Sequence, residues 1–162
     1  MEPAAVPQWA ELIQASAPAV TLRASLFLYP LANTLHVLGL ALLVGAIVAL
    51  DLRLLGLARD LPAKAASRLL TAVALVGLAV AIPTGIALFI ADAAGLVLNR
   101  VLWLKLGLVA LGLVNAIVFR ALWSRRLEDW DWAAPPAARL QSASSIVLWL
   151  GAASAGRLIA YF

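Results

Sequence analysis

The sequence has no cysteine, one methionine and one histidine, and only 12% of its 162 residues are charged. The lack of cysteine excludes disulfides, iron–sulfur clusters, thiolate metal sites and catalysis by a thiol of this chain. Because the only methionine is Met1, thioether ligation of copper is excluded too. With His36 as the only histidine, two axial histidines from one chain cannot hold a haem.

Apolar residues are in excess, since they make up 65% of the chain and the mean hydropathy is +1.02. A soluble domain has about half apolar and roughly a quarter charged residues. One small core cannot hide so much apolar side chain, so we expect a lipid bilayer to surround the protein. The basic residues behind the net charge of +4 flank the apolar runs, which indicates contact with lipid headgroups and no binding of nucleic acid.

Four long apolar runs predict an all-α integral membrane four-helix bundle, built as a single membrane domain. We expect transmembrane helices at about 27–50, 66–91, 101–122 and 142–162. Each is close to the ~20 residues that cross a ~30 Å hydrocarbon layer, whereas open strands would leave backbone groups unsatisfied in lipid. Ahead of them, apolar positions on one helical stripe predict a short interfacial helix at about 7–17 that ends near Pro18.

The distribution of Lys and Arg predicts the direction in which the helices cross the membrane. The first and third connections hold eight of the twelve basic residues, namely Arg53, Arg59, Lys64, Arg68, Arg120, Arg125, Arg126 and Arg139. Connections rich in positive charge stay in the cytoplasm. We therefore expect a multi-pass protein of the bacterial inner (cytoplasmic) membrane with both termini on the non-cytoplasmic side.

Small residues repeat at four-residue spacing in three of the predicted helices, and such rows let helix backbones approach closely in lipid. The rows are Ala41, Gly45 and Ala49; Ala81 and Gly85; Gly151 with Ala155; and Ala152 with Gly156. Our first interpretation is packing within the bundle. The alternative is that the last helix binds a second copy of the chain or another membrane protein.

Six polar residues from the four predicted helices fall in the outer half of the bundle, where each needs a partner or a function. They are His36, Asn33, Thr84, Asp92, Lys105 and Arg157. The structural explanation is that Lys105 and Arg157 extend outward to the headgroups while Asp92 pairs with one of them. The functional explanation is an outward-facing site for an anionic or polar ligand, or for a cofactor bound by His36.

The cytoplasmic half has fewer polar groups, namely Asn115 and, at the boundary, Asp51. We interpret Asp51 and Arg53 as a boundary ion pair, and Gly56 as the residue that stops the first helix. The alternative is a docking or gating role for the first connection.

A few segments and residues carry a resemblance to known proteins, namely Leu35–Gly45, Asp51-Leu52-Arg53-Leu54-Leu55-Gly56, Pro83-Thr84-Gly85, Lys105 and Asn115. In them the sequence resembles a family of small bacterial four-helix membrane proteins of unknown function. The likeness runs from about Trp9 to Phe162 and implies a fold but no activity. More distantly, a histidine ahead of a glycine in the first helix is similar to membrane copper-resistance proteins and to haem-binding four-helix proteins. Copper handling favours several Met, His or Cys ligands, which this chain lacks. The haem likeness implies haem b held by His36 alone, or by one histidine from each of two copies.

Three functions fit the sequence. The first is a non-enzymatic accessory, scaffold or partner-binding bundle, which needs no cofactor. The second is a haem-binding or redox-related protein that uses His36. The third is a carrier for a small solute or a proton. An enzyme is not expected, because the serines of the last helix are far from His36, and Glu128, Asp129 and Asp131 lie together in one loop.

Overall fold

The computed structural model describes residues 5–130 and 134–161, which form helices without a strand among them. The α-helices are α1 (Gln8–Gln14), α2 (Ala17–Ala24), α3 (Leu28–Leu55), α4 (Ala63–Ala91), α5 (Ala93–Leu98), α6 (Arg100–Trp123) and α7 (Pro136–Leu158). A 3₁₀ segment, Ser124–Trp130, continues α6. The fold is therefore all-helical, as the apolar runs predict.

Three helices are long and apolar enough to cross a membrane, namely α3, α4, and α6 with the first part of the 3₁₀ segment. Their most apolar windows have mean hydropathies of 2.3, 2.5 and 2.1. α7 is not among these helices. It starts earlier than the predicted span, at Pro136, so it takes in the polar Arg139 and Gln141, and it ends at Leu158. Phe162, the last residue of the predicted span, lies outside the described residues.

The four long helices form an open row in the order α4, α3, α7, α6. α3 packs against both α4 and α7, and α6 packs against α7. Among the described residues, no Cα atom of α4 comes within 8 Å of a Cα atom of α6. The row thus lacks the contact between its two outer helices, α4 and α6, that would close a four-helix bundle. Its central core is formed by Leu43, Ala46, Ala74 and Trp149.

Gly39 and Gly77 set the closest approach between α3 and α4. A Cβ atom built on Gly77 would lie 2.5 Å from Leu43 N and 2.6 Å from Gly39 O. These are backbone atoms, which cannot turn aside as a side chain can, so only glycine fits at this crossing. The four-residue rows single out Gly45 instead, but a Cβ built there would meet nothing within 4 Å.

The two short N-terminal helices pack where α4 ends and α5 begins. Arg23 of α2 donates hydrogen bonds to Ala91 O at 2.5 Å and to Gln14 O at 2.8 Å. Gln14 Oε1 accepts from Ala94 N at 2.8 Å, so α1 and α2 are joined to the junction of α4 and α5. α1 ends at Gln14, and Pro18 does not end a helix but lies in the first turn of α2. Proline is tolerated there because the first amides of a helix have no partner within it.

α3 ends at Gly56, as the sequence predicts. Gly56 has a φ of 113°, and the backbone hydrogen bonds around it form a Schellman cap. The predicted ion pair between Asp51 and Arg53 is not formed, since Arg53 Nε donates to Leu61 O at 2.6 Å. Positions i and i+2 lie on different sides of a helix, which is why the two charged side chains diverge.

Candidate functional site

His36 of α3 is held by the backbone of α4. Its Nδ1 lies 2.9 Å from Ala81 O and 3.2 Å from Thr84 Oγ1. A carbonyl oxygen can only accept a hydrogen bond, so Nδ1 carries the proton and Nε2 keeps its lone pair in the neutral ring. Thr84 Oγ1 donates its own proton to Val80 O at 2.7 Å, and therefore faces His36 as an acceptor.

Gly85 makes room for the imidazole ring. A Cβ atom built on Gly85 would lie 2.9 Å from His36 Cε1 and 3.3 Å from Nδ1, so the ring lies directly against the α4 backbone. Within the described part of the chain, Nε2 has no hydrogen-bond partner. Histidines that bind a metal usually donate their other ring N–H to a carbonyl or carboxylate. The His36 ring has that arrangement.

Lys105 of α6 lies close enough to His36 for an electrostatic interaction. Its side chain crosses Gly156 of α7, where a built Cβ would lie 3.3 Å from both Lys105 Cε and Nζ. Across residues 5–130 and 134–161, its ammonium group forms neither a hydrogen bond nor an ion pair. We call His36, Thr84 and Lys105 the His36 cluster; His36 contacts Thr84 directly, whereas Lys105 acts on the ring only through its charge.

The other three residues of the predicted outer cluster lie apart from the His36 cluster. Asn33 is exposed, and so is Asp92, which forms no ion pair with Lys105. The helix α5 follows Asp92 directly, so the chain does not make the tight hairpin on which that pair depends. Arg157 is also exposed, and it donates to Tyr161 OH at 2.9 Å while its guanidinium lies 5.2 Å from the centre of the tyrosine ring.

A second group of polar side chains lies between the last turns of α3 and the first turns of α7. Asp51 is 6% exposed, Ser142 is 1% exposed and Ser145 is 5% exposed. Both hydroxyls lie within hydrogen-bonding range of the Asp51 carboxylate. Its Oδ2 and Ser142 Oγ nevertheless lack a hydrogen-bond partner among the described residues. We call this group, which was not predicted from the sequence, the Asp51 site. The i, i+3 spacing of Ser142 and Ser145 places the two hydroxyls on one helical face but does not indicate that Asp51 lies opposite them.

Asn115 has a structural role between α6 and α7. Its Nδ2 donates to Gln141 O at 3.4 Å, and Gln141 Nε2 donates to Asn115 O at 3.1 Å. Trp123 Nε1 donates to Gln141 Oε1 at 2.9 Å. These hydrogen bonds join the end of α6 to the beginning of α7.

The small residues of α7 face the protein's own helices. Ala152 and Ala155 are each 4% exposed. A Cβ built on Gly151 would contact Leu108, and Gly156 lies under Lys105, so both glycines face α6. Packing within the chain, the first of the two interpretations, therefore accounts for all four small residues.

In the described part of the chain, neither a group of metal ligands nor either of two surface depressions marks a site of chemistry. Among the described residues, no three His, Asp or Glu side chains come together as a metal-binding group. Two surface depressions, with volumes of about 340 and 400 Å³, lie near the ends of the long helices. One is lined by residues of α1, α2 and α5, and the other by the start of α4 and Glu128, so neither includes the His36 cluster or the Asp51 site.

Comparison with curated proteins gave no match, and comparison with solved structures gave none either. A family model described as a family of unknown function, DUF6644, matches residues 24–162. The matched region contains the four long helices, the His36 cluster and the Asp51 site, but leaves out α1 and nearly all of α2. The chain therefore belongs to DUF6644, a family of unknown function.

Proposed function

We propose that this protein is a multi-pass bacterial inner-membrane protein that acts without catalysis, as an accessory or partner-binding bundle. The proposal depends on how little of each apolar helix is covered by the rest of the chain. Only 22% of the most apolar window of α3, 11% of that of α4 and 6% of that of α6 is buried within the chain. The remaining apolar surface requires lipid or the helices of other proteins.

In this proposal α7 crosses the membrane as the fourth span, between α3 and α6. Its buried face carries Ser142, Ser145 and Trp149, and its most exposed large apolar side chains are Val147 and Leu140. Polar groups directed inward and apolar groups directed outward are typical of a helix in lipid. The basic connections after α3 and α6 then face the cytoplasm, and both termini face the other side.

The surface of α6 is where we propose that a partner binds. α6 has the least coverage by its own chain, and it approaches only α7 among the long helices. The small residues of α7 are occupied by contacts within the chain, which leaves them little room for a partner. Leu111, Val114 and Ile117 are all more than half exposed and lie on consecutive turns of α6.

Photo-crosslinking in intact cells tests this proposal. A diazirine amino acid is introduced at Ile117, which is 67% exposed, and in a control variant at Leu43, which is 4% exposed in the core. We expect a discrete protein adduct from Ile117, either with a second copy or with another membrane protein, and none from Leu43. Adducts of Ile117 with lipid alone would contradict partner binding at α6, and release of the protein from membranes by alkaline carbonate would contradict the membrane location.

Binding of haem b by His36 is a second candidate function, and it is supported by the way the ring is held. Nδ1 is fixed by Ala81 O and Nε2 has no partner in the described structure, which suits an axial ligand. Lys105 next to the ring offers a positive charge for a haem propionate. With one histidine in each chain, the second axial position is open or is filled by a second copy.

The absorption spectrum of the protein purified after haem-supplemented expression tests this candidate. We expect a Soret band that is lost in His36→Ala and retained in Asn33→Ala, a matched variant at an exposed polar residue of the same helix. A wild-type protein without a Soret band would rule out the candidate, and so would an unchanged band in His36→Ala.

The third function predicted from the sequence, a carrier for a small solute or a proton, has less support. Between the His36 cluster and the Asp51 site, the described interior is filled by Leu43, Ala46 and Ala74, together with Trp149. A proton or a solute would need polar groups through this layer. Flux into liposomes that persists unchanged in the double variant His36→Ala/Lys105→Ala would remove the His36 cluster from any such path.

A further inference from the structure

We infer that the Asp51 site binds one monovalent alkali cation between α3 and α7. The site does not depend on the proposed function of the His36 cluster, because Asp51 lies fifteen residues beyond His36, which is ~22 Å along a helix. Four observations support the inference: the burial of the carboxylate, its unpartnered oxygen, the neighbouring hydroxyls, and the position of the surrounding charges.

Burial makes a bare carboxylate strongly unfavourable at this position. Asp51 is 6% exposed, and no ion pair neutralises it within the described part of the chain. A buried carboxylate is retained only when a proton, a positively charged side chain or a bound cation balances its charge. The negative charge of Asp51 therefore requires a partner that the described residues do not supply.

The two serines supply the remaining ligands for a cation. Ser142 is only 1% exposed. Among the described residues, neither Ser142 Oγ nor Asp51 Oδ2 has a hydrogen-bond partner. Carboxylate and hydroxyl oxygens are ligands that hard cations prefer. One carboxylate with two neutral hydroxyls balances a single positive charge, whereas a divalent ion would leave an excess positive charge in a buried position. The charge balance therefore favours a monovalent cation.

The basic side chains near the site are directed elsewhere. Arg53 donates to backbone carbonyls of the first connection, including Leu61 O. Arg139, one turn before Ser142 on α7, is exposed, and its Nη2 lies 3.4 Å from Leu55 O. Lys64 of α4 is exposed and pairs with Glu128. None of these three residues forms an ion pair with Asp51, so none of them balances the charge of the carboxylate.

Thermal unfolding of the full-length protein in detergent tests the inference. The unfolding temperature is measured at constant ionic strength while NaCl replaces choline chloride, and again with KCl. At a Na⁺ concentration ten times the dissociation constant, we expect a rise in Tm of about 3–6 °C relative to choline. Asp51→Asn should lose this rise, and Asp60→Asn, which changes an exposed carboxylate in the first connection, should keep it.

A second pair of variants keeps the test decisive if Asp51→Asn does not fold. Ser142→Ala and Ser145→Ala retain the carboxylate but remove one ligand each. For each variant we expect the dissociation constant for Na⁺, measured from the rise in Tm, to increase at least tenfold. Binding of radioactive ²²Na⁺ to the wild type should reach one ion per chain. An equal Tm in Na⁺ and choline, a response to pH but to no cation, or a Na⁺ response unchanged in the serine variants would overturn the inference.

Discussion

The substitution Gly77→Ala puts the α3–α4 crossing to a direct test. The added Cβ would lie 2.5 Å from Leu43 N and 2.6 Å from Gly39 O, whereas ordinary contacts begin near 3.4 Å. Both neighbours are backbone atoms of α3, so no side-chain rotation relieves the clash. The two helices must instead separate by about 1 Å along their most extensive interface, in which close backbone approach replaces the hydrophobic drive that lipid removes.

The expected loss of stability follows from two opposing effects. Overpacking a well-packed helix interface by one methyl group costs about 1–3 kcal/mol. Alanine has a better helix propensity than glycine by roughly 1 kcal/mol, which offsets part of that loss. We therefore expect Gly77→Ala to lower the free energy of unfolding by up to about 2 kcal/mol.

Gly107→Ala is the matched control, since it is also a glycine in a long helix, but a Cβ built there meets nothing within 4 Å. It should leave stability unchanged or raise it slightly. The free energy of unfolding of the three proteins is compared by steric trapping or by denaturation in mixed micelles. Equal stability of Gly77→Ala and Gly107→Ala would refute the claim that glycine is required at the crossing.

Three further predictions concern the connections between helices. Gly56→Ala should destabilise the end of α3 by about 1 kcal/mol, because alanine is strained at a φ of 113°; Gly45→Ala is the control in thermal unfolding. Arg23→Gln should speed amide hydrogen exchange in α2 by removing the hydrogen bond to Ala91 O, and the same rate as in the wild type would contradict that role. Gln141→Leu should lower the free energy of unfolding by about 1–3 kcal/mol, because Trp123 Nε1 loses its acceptor. The control Ser144→Ala, on the exposed side of α7, should change it little, and unfolding by urea measures both.

Features set by neighbouring residues could be predicted from the sequence. Long apolar runs indicate helices because lipid leaves no other partner for the backbone, and α3, α4 and α6 are the helices that meet this requirement in the structure. The stop at Gly56 depends on a glycine that can adopt positive φ, which is a property of that one residue.

Features that depend on which helix faces meet could not be predicted in this way. Gly39 belongs to no four-residue row in α3. Gly77 extends the row of Ala81 and Gly85 in α4, but that row does not indicate which helix it meets, so the crossing of the two glycines appears only when α3 and α4 are brought together. The pairing of Asp92 with Lys105 fails because α5, a six-residue helix, occupies the connection on which that prediction depended. The Asp51 site requires Asp51 and two serines about ninety residues later in the chain to share one interface, which no local pattern indicates.

The open row also has a consequence for assembly during synthesis. α3 and α4 form an antiparallel pair as soon as both have left the ribosome, since each approaches the other directly. Among the described residues, α6 approaches neither α3 nor α4. The only long helix that it contacts there is α7, which is synthesised last. In the membrane location proposed above, α6 then has lipid alone along its sides. A chain truncated before Pro136 should retain the first helix pair and leave α6 unattached, accessible to membrane proteases that the full-length protein resists.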